Sequence, residues 1–222
     1  MPKKFFVTDR YKVIVFPIPK NASTSFRGIV CGKNEGIQTI ELWNYNLDDY
    51  IKLAIIRNPL ERFISAYCTV IRFEYKINNI EDFNWSKKKL IDNIERTIKV
   101  VEDKGVFGGR GVNEHLVSQV FSLSSAYNYD KYKRNDIVPI DKFIIFEDLD
   151  NEWERIKNDV KLKDRKLNMS MESIPFLKAI VSSYVFSNLE LIKTINKVYE
   201  QDWELYNSIL DKKLKEYQND SK

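Results

Sequence analysis

The sequence predicts an α/β sandwich, with a short parallel sheet flanked by helices and a helical C-terminal third. Three observations carry this reading. Continuous apolar, β-branched runs such as Val13-Ile14-Val15-Phe16 suit strands buried on both faces of a parallel sheet. These runs alternate with segments of helical spacing, the order that a parallel sheet requires. The last third of the chain is mostly of helical pattern.

Strands are expected at Lys12–Ile18, Ile37–Leu42, Ile51–Ile56 and Phe143–Phe146, with a weaker run at Ile137–Ile140. Helices are expected at Thr24–Cys31, Pro59–Phe73, Ser86–Glu102, Asn113–Leu123 and Asn151–Asn158, with one long segment around Ser187–Leu210. Asn58 before Pro59 is a cap followed by a favoured first helical residue, together worth about 1 kcal/mol. The helix from Pro59 carries a buried stripe at Leu60, Phe63, Tyr67 and Ile71. Arg62, Ser65 and Thr69 fall on another side. That leaves Ser65 available to a ligand near Arg57, and Arg62 reads as a surface ion pair. Trp203 and Tyr206 follow the apolar spacing of the C-terminal helix. The glycines between Gly105 and Gly111 read as a loop between helices.

The bulk numbers are those of a globular protein. The chain has 222 residues, 43% hydrophobic and 31% charged, which fits one domain over 1–222 with C-terminal helices at about 151–215 packed on the sheet. No stretch approaches the ~20 apolar residues of a membrane span. The N-terminus has basic residues but no apolar core like that of a signal peptide, so the chain reads as cytoplasmic. Cys31 and Cys68 lie in predicted helices and read as small core residues. One histidine and no close cysteine pair give no zinc spacing, and no metal is expected. The net charge of +4 is spread among interleaved acids, so an anionic small molecule fits at least as well as a nucleic acid, and no nucleic-acid partner is expected. Lys87-Lys88-Lys89 reads as a solvated helix face.

Two segments carry chemistry. Pro19-Lys20-Asn21-Ala22-Ser23-Thr24-Ser25-Phe26 follows the first long strand and opens a helix. A tight turn of small residues there aims backbone N–H groups and a helix N-terminus at one point, which attracts an anion. Lys20 adds a full charge. The segment is not the nucleoside-triphosphatase loop, which needs glycines and a lysine after them. The second segment, Ile56-Arg57-Asn58-Pro59-Leu60-Glu61-Arg62-Phe63-Ile64-Ser65-Ala66-Tyr67, repeats strand, turn and helix with Arg57 at the strand end. Two such sites imply a ligand with two separated phosphate-like groups.

At these residues the chain resembles the sulfotransferases that use 3′-phosphoadenosine 5′-phosphosulfate (PAPS), in particular the carbohydrate branch and its bacterial relatives. The first segment is similar to the 5′-phosphosulfate loop of heparan sulfate 2-O-sulfotransferases, and the second to the family's 3′-phosphate motif, with Asn58 where aspartate is common. Asn113-Glu114-His115-Leu116 resembles the Asn-x-His-Trp segment of chondroitin-type relatives. Phe146-Glu147-Asp148-Leu149, Leu167-Asn168-Met169-Ser170 and Tyr199–Tyr206 resemble later landmarks. The resemblance implies a P-loop-like three-layer sandwich and PAPS as co-substrate, with a hydroxyl acceptor of carbohydrate or other small-molecule type. It implies that Lys20 contacts the transferred sulfate and the bridging oxygen. Asn21, Ala22, Ser23, Thr24 and Ser25 would hold the 5′-phosphate, and Arg57 and Ser65 the 3′-phosphate.

The base is open at this point. The heparan 2-O enzymes place a histidine between the two motifs, and this chain has none there. His115, the sole histidine, and Glu41, at the end of the second predicted strand, are the candidates. Two other classes stay in view: an ATP-dependent small-molecule kinase, and a nucleotide-binding homologue without catalysis.

Overall fold

The computed structural model describes residues 4–9, 12–22, 37–38, 46–104, 113–124, 139–159 and 175–220. The expected helix Thr24–Cys31, the glycine cluster and Cys31 lie outside these residues, as do Leu167–Ser170. The contacts of the chain divide it into two compact units. The first comprises Met1–Arg57, Ser122–Met171 and Ser208–Lys222, and the second Asn58–Phe121 and Glu172–Asn207.

The first unit holds the sheet, in the order β3-β1-β2-β4-β5. Its strands are β1 (Lys4–Thr8), β2 (Val13–Phe16), β3 (Ile37–Gln38), β4 (Ile51–Ile56) and β5 (Lys142–Ile145). β2, β4 and β5 pair in parallel, with Val15 opposite Leu53 and Ala54 opposite Phe143. This is the parallel core that the apolar runs predict. β1 pairs antiparallel with both β2 and β3, an extension that the N-terminal Phe5-Phe6-Val7 run announces but the reading above omits. β2 is buried at every position, so it packs on both faces. On one face Val13, Val15, Leu53, Ile55 and Ile144 form a core with Leu149, Trp153 and Ile156 of helix α4 (Leu149–Asp159). On the other, Phe5 meets Phe16 edge-to-face, with ring centroids 5.2 Å apart. Pro17 ends β2 ahead of the expected Ile18. Pro139 and Ile140 carry no strand, and pairing starts only at Lys142, whose sheet neighbour β4 is tied on by Asp141 accepting from the Lys52 amide at 2.7 Å.

The second unit is helical. It contains α1 (Pro59–Tyr75), α2 (Lys87–Lys104), α5 (Pro175–Phe186) and α6 (Leu189–Val198). The first residues of α3 (Gln119–Ser124) and α7 (Glu200–Asp220) also belong to it. Asn58 caps α1 as expected, accepting from the Leu60 and Glu61 amides at 3.1 and 3.2 Å. The predicted stripe Leu60, Phe63, Tyr67, Ile71 is buried against Leu90, Ile94, Leu177, Val181 and Ile195. α1 also buries Ile64, Ala66 and Val70, because α5 and α6 enclose it further than one stripe requires. Cys68 is half-buried against this core. Trp203 and Tyr206 pack as expected, ring centroids 6.0 Å apart. α5 begins at Pro175, a first-turn proline the reading above passes over. Among the described residues, no helix is long and apolar enough to cross a membrane.

Two helices differ from expectation. The segment Asn113–Leu123 is a 3-10 turn at Glu114–Leu116, an extended Val117 and then α3. The segment Ser187–Leu210 breaks at Tyr199, whose φ and ψ of −107° and 28° close α6 before α7 starts. The first break is held by long-range polar contacts, described next.

Candidate functional site

In the first unit, Lys20, Asn21 and Ala22 form the turn after β2. Lys20 and Ala22 both take left-handed backbone, with φ of 70° and 54°. Such conformations cost about 1–2 kcal/mol each for residues with a Cβ. The turn holds them without glycine because it is clamped from several sides. The Asn21 amide donates to the Ile18 carbonyl at 3.2 Å. The Asn21 side chain, buried to 1% exposure, donates from Nδ2 to the Ile55 carbonyl at 2.7 Å. Arg57, at the end of β4, donates from Nη1 to the Lys20 carbonyl at 3.1 Å.

Arg57 is itself held. It is 6% exposed, and its guanidinium lies over the ring of Phe146, 4.3 Å from the centroid. Phe146 opens the 3-10 turn Phe146–Asp148 after β5. Cation–π stacking of this kind contributes about 0.5–2 kcal/mol and fixes the plane of the guanidinium. Three adjacent parallel strand ends, β2, β4 and β5, thus deliver Lys20, Arg57 and Phe146 to one place. Open α/β sheets bind ligands beyond the carboxyl ends of their strands. The sequence marked Lys20, Asn21, Ala22 and Arg57. It marked Phe146 only as a landmark, and an aromatic residue ending a strand was the available signal. Ser23, Thr24, Ser25 and Glu41 lie outside the described residues.

In the second unit, Ser65 sits half-buried on α1, and its carbonyl accepts from Thr69 Oγ1 at 3.0 Å. His115 lies half-buried in the 3-10 turn, where its amide donates to the capping Asn113 Oδ1 at 3.0 Å. The turn is anchored by groups the sequence analysis did not connect with it. Arg62, expected on the surface, is 0% exposed. Its Nη2 donates to the Val117 carbonyl and lies 3.4 Å from that of His115. Tyr199 donates its hydroxyl to the Leu116 carbonyl at 2.6 Å. Asp202, also 0% exposed, accepts from the Gln119 and Val120 amides at 2.9 Å each and so caps α3. Ser118 Oγ accepts from the Phe121 amide at 2.9 Å. Ser118 was the local sign of a helix start, whereas Asp202 lies 83 positions from Gln119 and gives no local sign. Burial pushes the Arg62 guanidinium down and the Asp202 carboxyl up, and the attraction between the two charges opposes both shifts.

The family model of the sulfotransferase family matches residues 3–207. The chain therefore belongs to that family, whose members generally take the transferred group from PAPS, and it is a sulfotransferase enzyme. No curated protein and no solved structure matches it.

Proposed function

We propose that this chain moves a sulfuryl group from PAPS to a hydroxyl of a carbohydrate acceptor, with His115 as the base. The observation that carries the reading is the strained Lys20–Ala22 turn, locked to the end of β4 by Asn21 and Arg57. Strain held by buried hydrogen bonds is characteristic of ligand sites. The acceptor oxygen attacks sulfur, the bond from sulfur to the 5′-phosphate oxygen breaks, and adenosine 3′,5′-bisphosphate leaves. Negative charge builds on the leaving oxygen, and Lys20 is the cation assigned to it. Ser23, Thr24 and Ser25 complete the 5′-phosphate cradle, while Arg57 and Ser65 take the 3′-phosphate.

The acceptor proton passes to His115. This choice over Glu41 is supported by the anchoring of the His115 turn, which uses an Arg, an Asp and a Tyr hydroxyl, all buried. A positioned base contributes about 10²–10⁴-fold. The test is transfer of sulfur-35 from PAPS to a panel of sugars by the wild type, His115→Asn and Glu41→Gln. Loss in His115→Asn alone is the expected result, and loss in Glu41→Gln alone moves the role to Glu41. Thermal stabilisation by ATP and magnesium but not by adenosine 3′,5′-bisphosphate would replace this reading with a kinase.

A further inference from the structure

We propose that Arg62, Tyr199 and Asp202 are positioning residues that hold the His115 turn in one conformation. The inference rests on the reading of His115 as the base. Their contacts fall on one short run of backbone. Arg62 takes the carbonyls of His115 and Val117, Tyr199 takes that of Leu116, and Asp202 takes the amides of Gln119 and Val120. Five residues of backbone between 115 and 120 are thus held by three side chains from α1 and from the α6–α7 junction. The break between α6 and α7 falls at Tyr199 itself, between the helix that packs on α2 and the helix that carries Asp202. A continuous helix through 199 would not have this kink in its backbone.

Stability alone does not account for this arrangement. Burying two full charges costs several kcal/mol per ion, and apolar residues of the same volume often do as well or better. What charges give, and apolar residues do not, is a directional hold on a specific backbone. The turn is too short to hold itself: one 3-10 turn followed by an extended residue fixes little.

The chain has one histidine, so its imidazole gives one set of 1H–15N correlations. The decisive variants are Tyr199→Phe and Arg62→Lys, compared with Tyr67→Phe. Tyr67 is a control in the same core: it is equally buried, and its hydroxyl donates to Asn93 Oδ1 at 2.8 Å, not to the turn. Tyr199→Phe keeps the ring that packs on Phe63 and deletes only the hydroxyl. The expected result is a shifted or broadened His115 signal in Tyr199→Phe and Arg62→Lys, and an unchanged one in Tyr67→Phe. Turnover should fall at least tenfold in the first two, with affinity for adenosine 3′,5′-bisphosphate within twofold of wild type. If all three variants lose stability alike while the His115 signal stays in place, the residues serve the core alone and the proposal is wrong. Full turnover in His115→Asn would instead remove the base assignment, and the imidazole signal would still decide whether the turn is held.

Discussion

Arg57 donates from Nη1 to the backbone carbonyl of Lys20 across 3.1 Å, so the second charged motif props up the first. Arg57→Ala removes a charged hydrogen bond and the stacking on Phe146, together about 2–4 kcal/mol. It also removes the charged hydrogen bond proposed for the 3′-phosphate, about 1.5–3 kcal/mol, so affinity for adenosine 3′,5′-bisphosphate should fall about 10- to 150-fold by calorimetry. Phe146→Leu, which keeps the hydrogen bond and loses the ring, should cost about 0.5–2 kcal/mol of stability by urea unfolding. Wild-type affinity in Arg57→Ala would detach the nucleotide from this end of the sheet.

The left-handed backbone at Ala22 gives an ordered series. Glycine relieves about 1–2 kcal/mol of steric cost but gives back about 0.5–1 through the unfolded chain. It also gives up the contact that Ala22 makes with the core of the sheet. Ala22→Gly should therefore stay within about 1 kcal/mol of wild type, since these terms nearly cancel. Ala22→Val should lose about 2 kcal/mol or more, because a β-branched side chain fits this region worst. Urea unfolding would show the order. Valine as stable as alanine would mean that the turn relaxes to an extended backbone.

Tyrosine burial predicts how stability responds to alkali. Burial holds the Tyr67 and Tyr199 hydroxyls well above the usual phenol range. The folded chain therefore keeps protons that the unfolded chain releases above pH ~10. Stability contributed by these groups is fully present below that pH and declines as pH rises toward their folded values. The slope should be about −1.4 kcal/mol per pH unit for each residue. Urea midpoints measured from pH 9 to 11 should fall less steeply in Tyr67→Phe than in wild type. Parallel curves would mean that Tyr67 ionises as readily folded as unfolded.

What was legible in the sequence is what neighbours in the chain decide. The run Ile51–Ile56, the Asn58 cap and the stripe from Leu60 to Ile71 all rest on local pattern, and all appear as expected. Lys20 and Arg57 were legible as cations at strand ends, and strand pairing brings them together. Arg62 was not, because periodicity places a residue on a helix face without saying what covers that face. Its cover is the 115–117 turn, 53–55 positions away. The break at Val117 has the same origin. There the carbonyl accepts from the distant Arg62 side chain, and helix propensity, a few tenths of a kcal/mol per residue, is too weak to oppose it.

The end of α7 provides a separate test of how the chain finishes its fold. Glu152 on α4 is 0% exposed and accepts from Lys213 Nζ and Tyr217 Oη, both on α7. The Arg155 guanidinium lies 3.7 Å from the centroid of the Tyr217 ring, on the same two helices. Lys213 and Tyr217 fall after residue 207, beyond the stretch matched by the family model. Removing one partner strands the other: Glu152→Leu leaves the Lys213 ammonium, with its side chain 15% exposed, without its carboxylate. That should cost about 3–5 kcal/mol. Adding Lys213→Met should recover most of the loss, because an apolar pair of similar volume substitutes well for a buried ion pair. The double-mutant cycle, read by urea unfolding, should give a coupling above about 1 kcal/mol. Costs that simply add would mean that the carboxylate is solvated and that α7 is held on α4 by its apolar contacts.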